Sequence, residues 1–232
     1  MNRSYKGHII TRNSITIIYT AGDPVVLAKS DPAFKAVKVM LSSKLFLDAA
    51  VYADVSMRIE KLSDGKISID KKSTETKIEG TVMPAELADT IKRFVESGTN
   101  TRPLTNFWAN LAQNPSEESR KDLYKFIKHN KITITDDGYL VAYKAIKNDF
   151  HDLYTGKIDN RVGTVVKMDR HNVNSNRHEV CSSGLHVAAY EYAKTYGNGE
   201  DSVMVEVRVN PKNVVSVPVD YNSQKMRVCE YE

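Results

Sequence analysis

Four side chains able to bind a metal or to move protons and electron pairs fall within one short segment, residues 167–186, which reads KMDRHNVNSNRHEVCSSGLH. His171, His178, Cys181 and His186 follow the spacing His-x6-His-x2-Cys-x4-His. Imidazole nitrogens and a thiolate are zinc ligands, and a set of four suits a tetrahedral site. The spacing matches no familiar zinc signature and has no closely paired ligands, so no metal is expected here. A polar loop with surface histidines accounts for His171 and His178 more simply.

Cys181 and His186 also have the residue types of a nucleophile and its base. Gly184 between them lets another group approach the backbone closely. Proximity in sequence does not bring a thiol and an imidazole into hydrogen-bond geometry, however. The structural alternative makes Cys181 a small buried hydrophobe and has His186 bonded to a carbonyl at a strand edge. Lys167, Arg170, Arg177, Lys225 and Arg227 have the chemistry to gather around an anion such as phosphate, although cations beside strands are common as plain surface. If this region holds a ligand, the residues expected to bind it are Arg170, Cys181, His186 and Arg227. No catalytic residue is assigned and no cofactor is expected.

Other chemistry is less supported. Gly197-Asn198-Gly199 reads as a turn, because no strand precedes it and no Lys-Ser/Thr follows. His151-Asp152 is isolated, and no Walker motif, Ser/His/Asp order or carboxylate pair stands out. The residues lean away from an enzyme.

The elements that must position these residues follow from periodicity. Residues 8–20 read as extended, and Gly22-Asp23-Pro24 ends that run. Asp31 as N-cap and Pro32 at the first helical position open a helix that buries Phe34, Val37, Leu41 and Leu45 and continues to Ala53. From Ser56 to Asp70 the period is two, with Asp64-Gly65 as a hairpin turn. Lys71–Lys77 reads as a loop and Ile78–Val82 as a short strand. Pro84 starts a helix burying Leu87, Ile91, Phe94 and Val95, with Gly98 as its stop. Leu104, Phe107, Trp108 and Leu111 form another buried stripe. Asn114-Pro115-Ser116-Glu117 opens a helix with Asn114 as N-cap, burying Leu123, Phe126 and Ile127.

Beyond Lys131 strands take over. Ile132 and Ile134 lead to Asp136-Asp137-Gly138, and Tyr139, Val141 and Tyr143 return. Residues 188–196 read as a helix, and Val203–Val209 and Val214–Val217 as strands separated by Asn210-Pro211. Tyr139, Tyr143, Val203, Val205 and Val207 are expected to line the core. The pattern is α+β: a helical and hairpin N-terminal part, 1–113, then a C-terminal part, 114–232, with a mixed or antiparallel sheet packed by one or two helices.

The chain has 232 residues, 41% apolar and 27% charged, enough to bury a real core and unlike a disordered segment. A formal charge of +4 is too weak to argue nucleic-acid binding. That reading would rest on Lys121, Lys125, Lys128 and Lys131, which are expected simply to be solvated. The two cysteines, Cys181 and Cys229, make no disulfide framework, and reduced thiols are expected. No apolar run approaches the roughly 18 residues of a membrane span, and residues 1–7 lack the apolar core of a signal peptide. The protein is expected to stay where it is made, with any membrane contact peripheral or through a partner.

Four blocks stand out: NPSEESRKDLYKFIKHNKITITDDGYLVAYKAIKNDF from Asn114, NRVGTVVKMDRHNVN from Asn160, CSSGLHV from Cys181, and VRVNPKNVVSVPVDYNSQKMRVCEYE from Val207. In order and near-equal spacing, they resemble the rIIB family of tailed-phage proteins. The likeness is dense from about Asn114 to the last residue and weaker from Pro84, where LTNFWANLAQNP is similar. One departure is at the start: a family member opens with a helix-turn-helix-like segment, where this chain has the β-rich residues 9–19. The resemblance implies a phage protein in the cytoplasm of the infected host, peripheral to the inner membrane in some complexes. It implies delayed lysis or protection against prophage exclusion, an rIIA-like protein partner or a host defence or lysis factor, and no transferable catalytic residue. Self-association fits the same picture, whereas nucleic acid is not an expected partner.

Overall fold

The computed structural model describes residues 3–70, 75–78, 80–97, 99–197, 199, 201–219 and 224–232. The chain divides into two units, Met1–Arg102 and Pro103–Glu232. Both mix helices with antiparallel sheet, so the α+β class holds.

In the first unit β1 (Tyr5–Ile10), β2 (Ser14–Tyr19) and β3 (Val25–Ala28) form an antiparallel meander with β2 in the centre. Side chains alternate across a strand, so Ile15, Ile17 and Tyr19 all point to one buried face. Helices α1 (Phe34–Ser42) and α2 (Phe46–Ala53) cover it with Phe34, Val37, Leu41, Ala49, Ala50 and Ala53. The Tyr19 hydroxyl donates to the Ala50 carbonyl at 2.8 Å, fixing sheet to helix.

The single helix expected as far as Ala53 is thus two. Lys44 takes a left-handed conformation, φ 61°. The Leu45 N–H then closes on Met40 O at 2.8 Å and the Lys44 N–H on Leu41 O at 3.1 Å, the paired bonds of a Schellman ending. Leu45, expected inside, is 51% exposed as a result. Asp31 supports the entry turn by accepting from the Ala33 N–H, but Ala33 is the residue at the N-cap.

A second correction concerns Ser56–Asp70. Val55–Leu62 is a helix, α3, because the Asp54 carboxylate caps it by accepting from the N–H groups of Ser56 and Met57. Asp64 and Gly65 do have the two positive φ values of a hairpin turn, 52° and 77°. They use them to end α3, with Gly65 N–H on Glu60 O at 2.8 Å and Asp64 N–H on Lys61 O at 3.2 Å. The hairpin comes one element later, where β4 (Ile67–Ile69) pairs with β5 (Thr76–Ile78), which in turn pairs with β6 (Thr81–Val82). Of the expected loop over Lys71–Lys77, residues 71–74 lie outside the described residues. Helix α4 (Ala85–Ser97) buries Leu87, Ile91 and Val95 as expected, and its expected Gly98 stop lies outside the described residues.

The second unit contains α5 (Arg102–Ala112), α6 (Glu117–Asn130), β7 (Leu140–Lys147), β8 (Val166–Lys167), β9 (Leu185–Ala188), α7 (Tyr190–Tyr196), β10 (Ser202–Val209), β11 (Val214–Ser216), β12 (Lys225–Val228) and β13 (Glu230–Tyr231). Five strands form one antiparallel sheet in the order β10-β7-β9-β12-β11, and β13 pairs separately with β8. Helix α5 belongs here rather than with the residues before it. Gly138 packs on the Asn106–Phe107 backbone, Asn106 Nδ2 donates to Asp136 O at 2.7 Å, and Asn110 Nδ2 donates to Asp137 O at 3.0 Å.

The core centres on Leu140, Ala142, Ile146, Val187, Met226 and Val228 from the sheet, with Leu123 and Phe126 from α6. Val207 is buried as expected, whereas Val203 is 37% exposed and Tyr139 and Tyr143 are half-buried. Val203 lies near the open end of an edge strand, and β pattern alone does not distinguish edge from centre. The arm at Ile132 and Ile134 makes only one bridge, Ile134 with Leu140. Ala188 ends β9 instead of opening α7. Asn198 of the expected Gly197–Gly199 turn lies outside the described residues.

Candidate functional site

Arg227 sits in β12, one strand in from the sheet edge. In register it faces Ser216 of β11 on one side and His186 of β9 on the other. Cross-strand partners share a face, so Ser216, Arg227 and His186 form a row. Arg227 has no exposed surface. Its Nη2 donates to Ser216 Oγ at 3.0 Å and to the main-chain carbonyl of Asn176 at 2.6 Å.

Asn176 belongs to the connection 172–184, which crosses this face as a strap. The strap is laced internally. The Asn174 N–H bonds Ser183 O at 2.9 Å, the Ser183 hydroxyl donates to Asn172 O at 2.6 Å, and the Glu179 carboxylate accepts from Asn174 Nδ2, Asn176 Nδ2 and Ser182 Oγ. It is also tied down from outside. Lys225 Nζ donates to Val180 O at 2.8 Å, and Arg177 Nη1 reaches the buried Asp122 carboxylate of α6 at 2.5 Å. Gly184, φ +147°, is where the strap rejoins the sheet, and a Cβ there would come within 2.9 Å of Val173 Cγ1 and 3.4 Å of the Arg227 stem. The close approach that Gly184 permits is therefore to the protein's own arginine.

Arg170 has a different set of acceptors. It donates to Lys212 O at 2.8 Å, to Val214 O at 3.0 Å and to the Asn114 side chain at 3.0 Å. Asn114, 1% exposed, also donates to Pro211 O and Val214 O and accepts from the Ser116 N–H. It is a junction between α5, α6 and the start of β11, and not the N-cap of α6. Ser116 fills that position, accepting from the Ser119 N–H at 3.1 Å.

Of the expected ligand-binding residues, Arg227 and His186 are thus adjacent, while Arg170 is engaged at the Asn114 junction. Cys181 is an exposed free thiol at the end of the strap, not the buried small residue of the structural alternative. The His186 main-chain carbonyl accepts from Lys144 Nζ at 3.1 Å. The other cations of the expected anion cluster go separate ways: Lys167 pairs with Glu230, Arg177 with Asp122, and Lys225 with the Val180 carbonyl. Asn114, Asp122 and Ser216 are polar residues that the sequence reading did not single out for this role. Their partners are distant in the chain, and no local signal marks them.

A second polar centre lies at Asp152. Burial pushes this carboxyl up, but the Thr155 hydroxyl and the N–H groups of Thr155, Ile158 and Lys157 outweigh it and hold the group well below the usual carboxylate range. Asp152 thereby folds residues 152–158 around itself. His151 turns aside, with Nδ1 3.3 Å from Asp149. Burial lowers the pKa of Lys144, opposed by the charge of Asp152. The Lys144 ammonium stands 5.8 Å from the centre of the Tyr231 ring, whose hydroxyl donates to Asn160 Oδ1 at 2.5 Å.

Surface cavities lie elsewhere. One of about 460 Å³ is lined by Glu191, Tyr192, Thr195, Tyr196 and Gln224, and another of about 530 Å³ includes Lys147, Asp149, Leu153, Tyr196 and Asp201. Neither is lined by Arg170, Cys181, His186 or Arg227. Among the described residues no group of three or more His, Cys, Asp or Glu is placed to hold a metal, and no helix is long and apolar enough to cross a membrane.

Comparison with known proteins matches the chain to a family. The family model described as Bacteriophage T4 protein rIIB aligns with residues 5–232. The chain belongs to the rIIB family. Membership extends through the N-terminal unit as well as the C-terminal blocks that carry the resemblance in sequence. Protein rIIB of Enterobacteria phage T4 is 35% identical over 199 residues, covering 86% of this chain and 63% of that protein. The chain therefore spans less than two thirds of the length of this rIIB relative. No solved structure matches.

Proposed function

We propose that this rIIB-family chain is a non-enzymatic interaction protein that acts in lysis control, or in protection against host or prophage exclusion, from the cytoplasmic side of the infected cell. Its partner in this reading is another protein, an rIIA-like phage protein or a host defence or lysis factor, and any membrane contact is peripheral. Family membership supports the phage setting. The observation that carries the interaction reading is the condition of Arg227 and Arg170. Both guanidinium groups hold main-chain carbonyls of this same chain, as parts of a scaffold that presents a surface. Capture of tagged protein from infected cells, with an rIIA-like protein recovered in comparable yield by wild type and by His186→Ala, is the expected result. Recovery of no phage or host protein above an untagged control would refute the reading.

One observation favours a second reading, ligand binding or catalysis at the Cys181–His186 segment. His186 is the direct register partner of Arg227, and Cys181 is open to solvent at the mouth of the strap. A small molecule or metal retained by wild type and lost from Cys181→Ala and His186→Ala would support it.

A further inference from the structure

Strands β7 and β10 meet at one end of the sheet, where Lys147 and Ser202 are register partners and the Asn148 N–H bonds Asp201 O at 3.0 Å. Helix α7 ends beside them, and a Cβ on Gly197 would lie 3.3 Å from that of Ala145 in β7. Tyr196, the last residue of α7, is 59% exposed and lines both surface cavities. Its ring is braced by that of Tyr192, 5.3 Å away between centres, and the Tyr192 hydroxyl donates to the Tyr196 hydroxyl at 3.3 Å. The proton of the Tyr196 hydroxyl has no acceptor among the described residues.

The polar groups around this ring differ from Arg170 and Arg227, whose donors are engaged within the chain. The Lys147 ammonium lies against Gly156, where a Cβ would come within 2.7 Å of Nζ. It makes no hydrogen bond or ion pair among the described residues, and neither do the Asp201 and Glu191 carboxylates or the Gln224 side-chain amide. Donors and acceptors of both signs are thus open toward the two cavities.

We propose that the two cavities are neighbouring subsites for a neutral oligosaccharide, with the Tyr196 ring as the platform between them. Their volumes, about 460 and 530 Å³, are those of small-molecule sites. The charge of the lining selects the ligand class. Lys147 stands against Asp149, Asp201 and Glu191, a net of two negative charges, which disfavours a phosphate or carboxylate. A cationic side chain in the larger cavity meets the Lys147 ammonium. A neutral polyol suits both signs, because each hydroxyl can donate to a carboxylate and accept from an ammonium. A sugar ring also carries a face of C–H groups, which the negative face of an aromatic ring attracts.

Amide-shift titration of the isotope-labelled full chain with maltotetraose, cellotetraose and the N-acetylglucosamine tetramer tests the site. At least one of these sugars is expected to give saturable shifts centred on residues 147–149, 191–202 and 224. Tyr196→Ala is expected to weaken that binding about tenfold or more, whereas Tyr196→Phe, which keeps the ring, stays within about threefold of wild type. Asp201→Asn removes one charged acceptor from an exposed side chain that holds nothing in the fold, and is expected to weaken binding about tenfold at an unchanged far-UV spectrum. No shift with any of the three sugars, or binding untouched by both Tyr196→Ala and Asp201→Asn, would overturn the proposal. Tighter binding of a trilysine peptide than of every sugar would also overturn it, assigning the cavities to a basic segment. Sugar binding stands apart from the lysis-control reading, and either can fail without the other.

Discussion

Arg227 in strand β12 holds the carbonyl of Asn176 in the strap at 2.6 Å with none of its own surface exposed. A buried guanidinium of this kind acts as a rivet, because its Nη2 is directed at two fixed acceptors of the same chain, Asn176 O and Ser216 Oγ. Arg227→Ala should leave a cavity and orphan the Asn176 carbonyl and Ser216 hydroxyl, destabilising the fold by about 3 kcal/mol. Urea unfolding measures this, and faster amide exchange confined first to residues 172–184 would locate the loosened element.

Asn114 makes a comparable prediction at the neighbouring strand β11. Asn114→Leu keeps the volume but abandons the Pro211 and Val214 carbonyls and the Ser116 N–H, a loss of about 2–4 kcal/mol. Replacing Ser116 with Ala, which removes only the cap, should cost about 1 kcal/mol. Equal effects of the two changes in urea titrations would contradict the assignment of cap and junction.

Much of this architecture was legible in the sequence, and the exceptions have physical causes. Helices α4, α5 and α6 and strands β7 and β10 are marked by periodicity because their apolar stripes are long, and β11 by the valines that follow Asn210-Pro211. Asp64-Gly65 does not distinguish a hairpin turn from a Schellman helix ending, because two positive φ values serve both equally well. Only the Asp54 cap upstream decides between them. The break at Lys44 is masked because lysine carries no signal for left-handed backbone. The Arg227–His186 adjacency is a register relation across some forty residues, and the Asn114 junction joins α6 to a segment nearly a hundred residues on. Neither leaves a trace in local pattern.

Gly138 packs where a Cβ would fall 2.2 Å from the backbone of Asn106 and Phe107. Gly138→Ala should therefore force α5 off the Asp136–Gly138 turn and cost more than about 3 kcal/mol. Gly163 has a similar φ, +85°, but nothing within 4 Å, so Gly163→Ala should cost only about 1 kcal/mol for the strained backbone. Thermal melts of the pair separate steric from conformational cost.

Asp152 gives the protein a specific acid sensitivity. Its carboxyl titrates lower when folded than the unfolded value of about 3.9. Its contribution is therefore fully present above that value and is lost as pH falls through the lower, folded one. Unfolding free energy should hold from pH 7 to about 5 and decline below about 4. Asp152→Asn should lose about 1–3 kcal/mol at pH 7 and show a flatter acid limb. An unchanged acid limb would show that the 152–158 turn does not depend on the ionised carboxylate.

The central claim is that this rIIB-family chain works by presenting a surface, with the Cys181–His186 segment serving the strap. It is tested most directly by returning variants to a phage that lacks the chain and timing lysis of the infected culture. The doubly substituted Cys181→Ala/His186→Ala protein, folded by circular dichroism, is predicted to restore wild-type timing in full. Loss of timing by that folded variant, with protein partners still bound, would contradict the account and place the function in the chemistry of those two side chains.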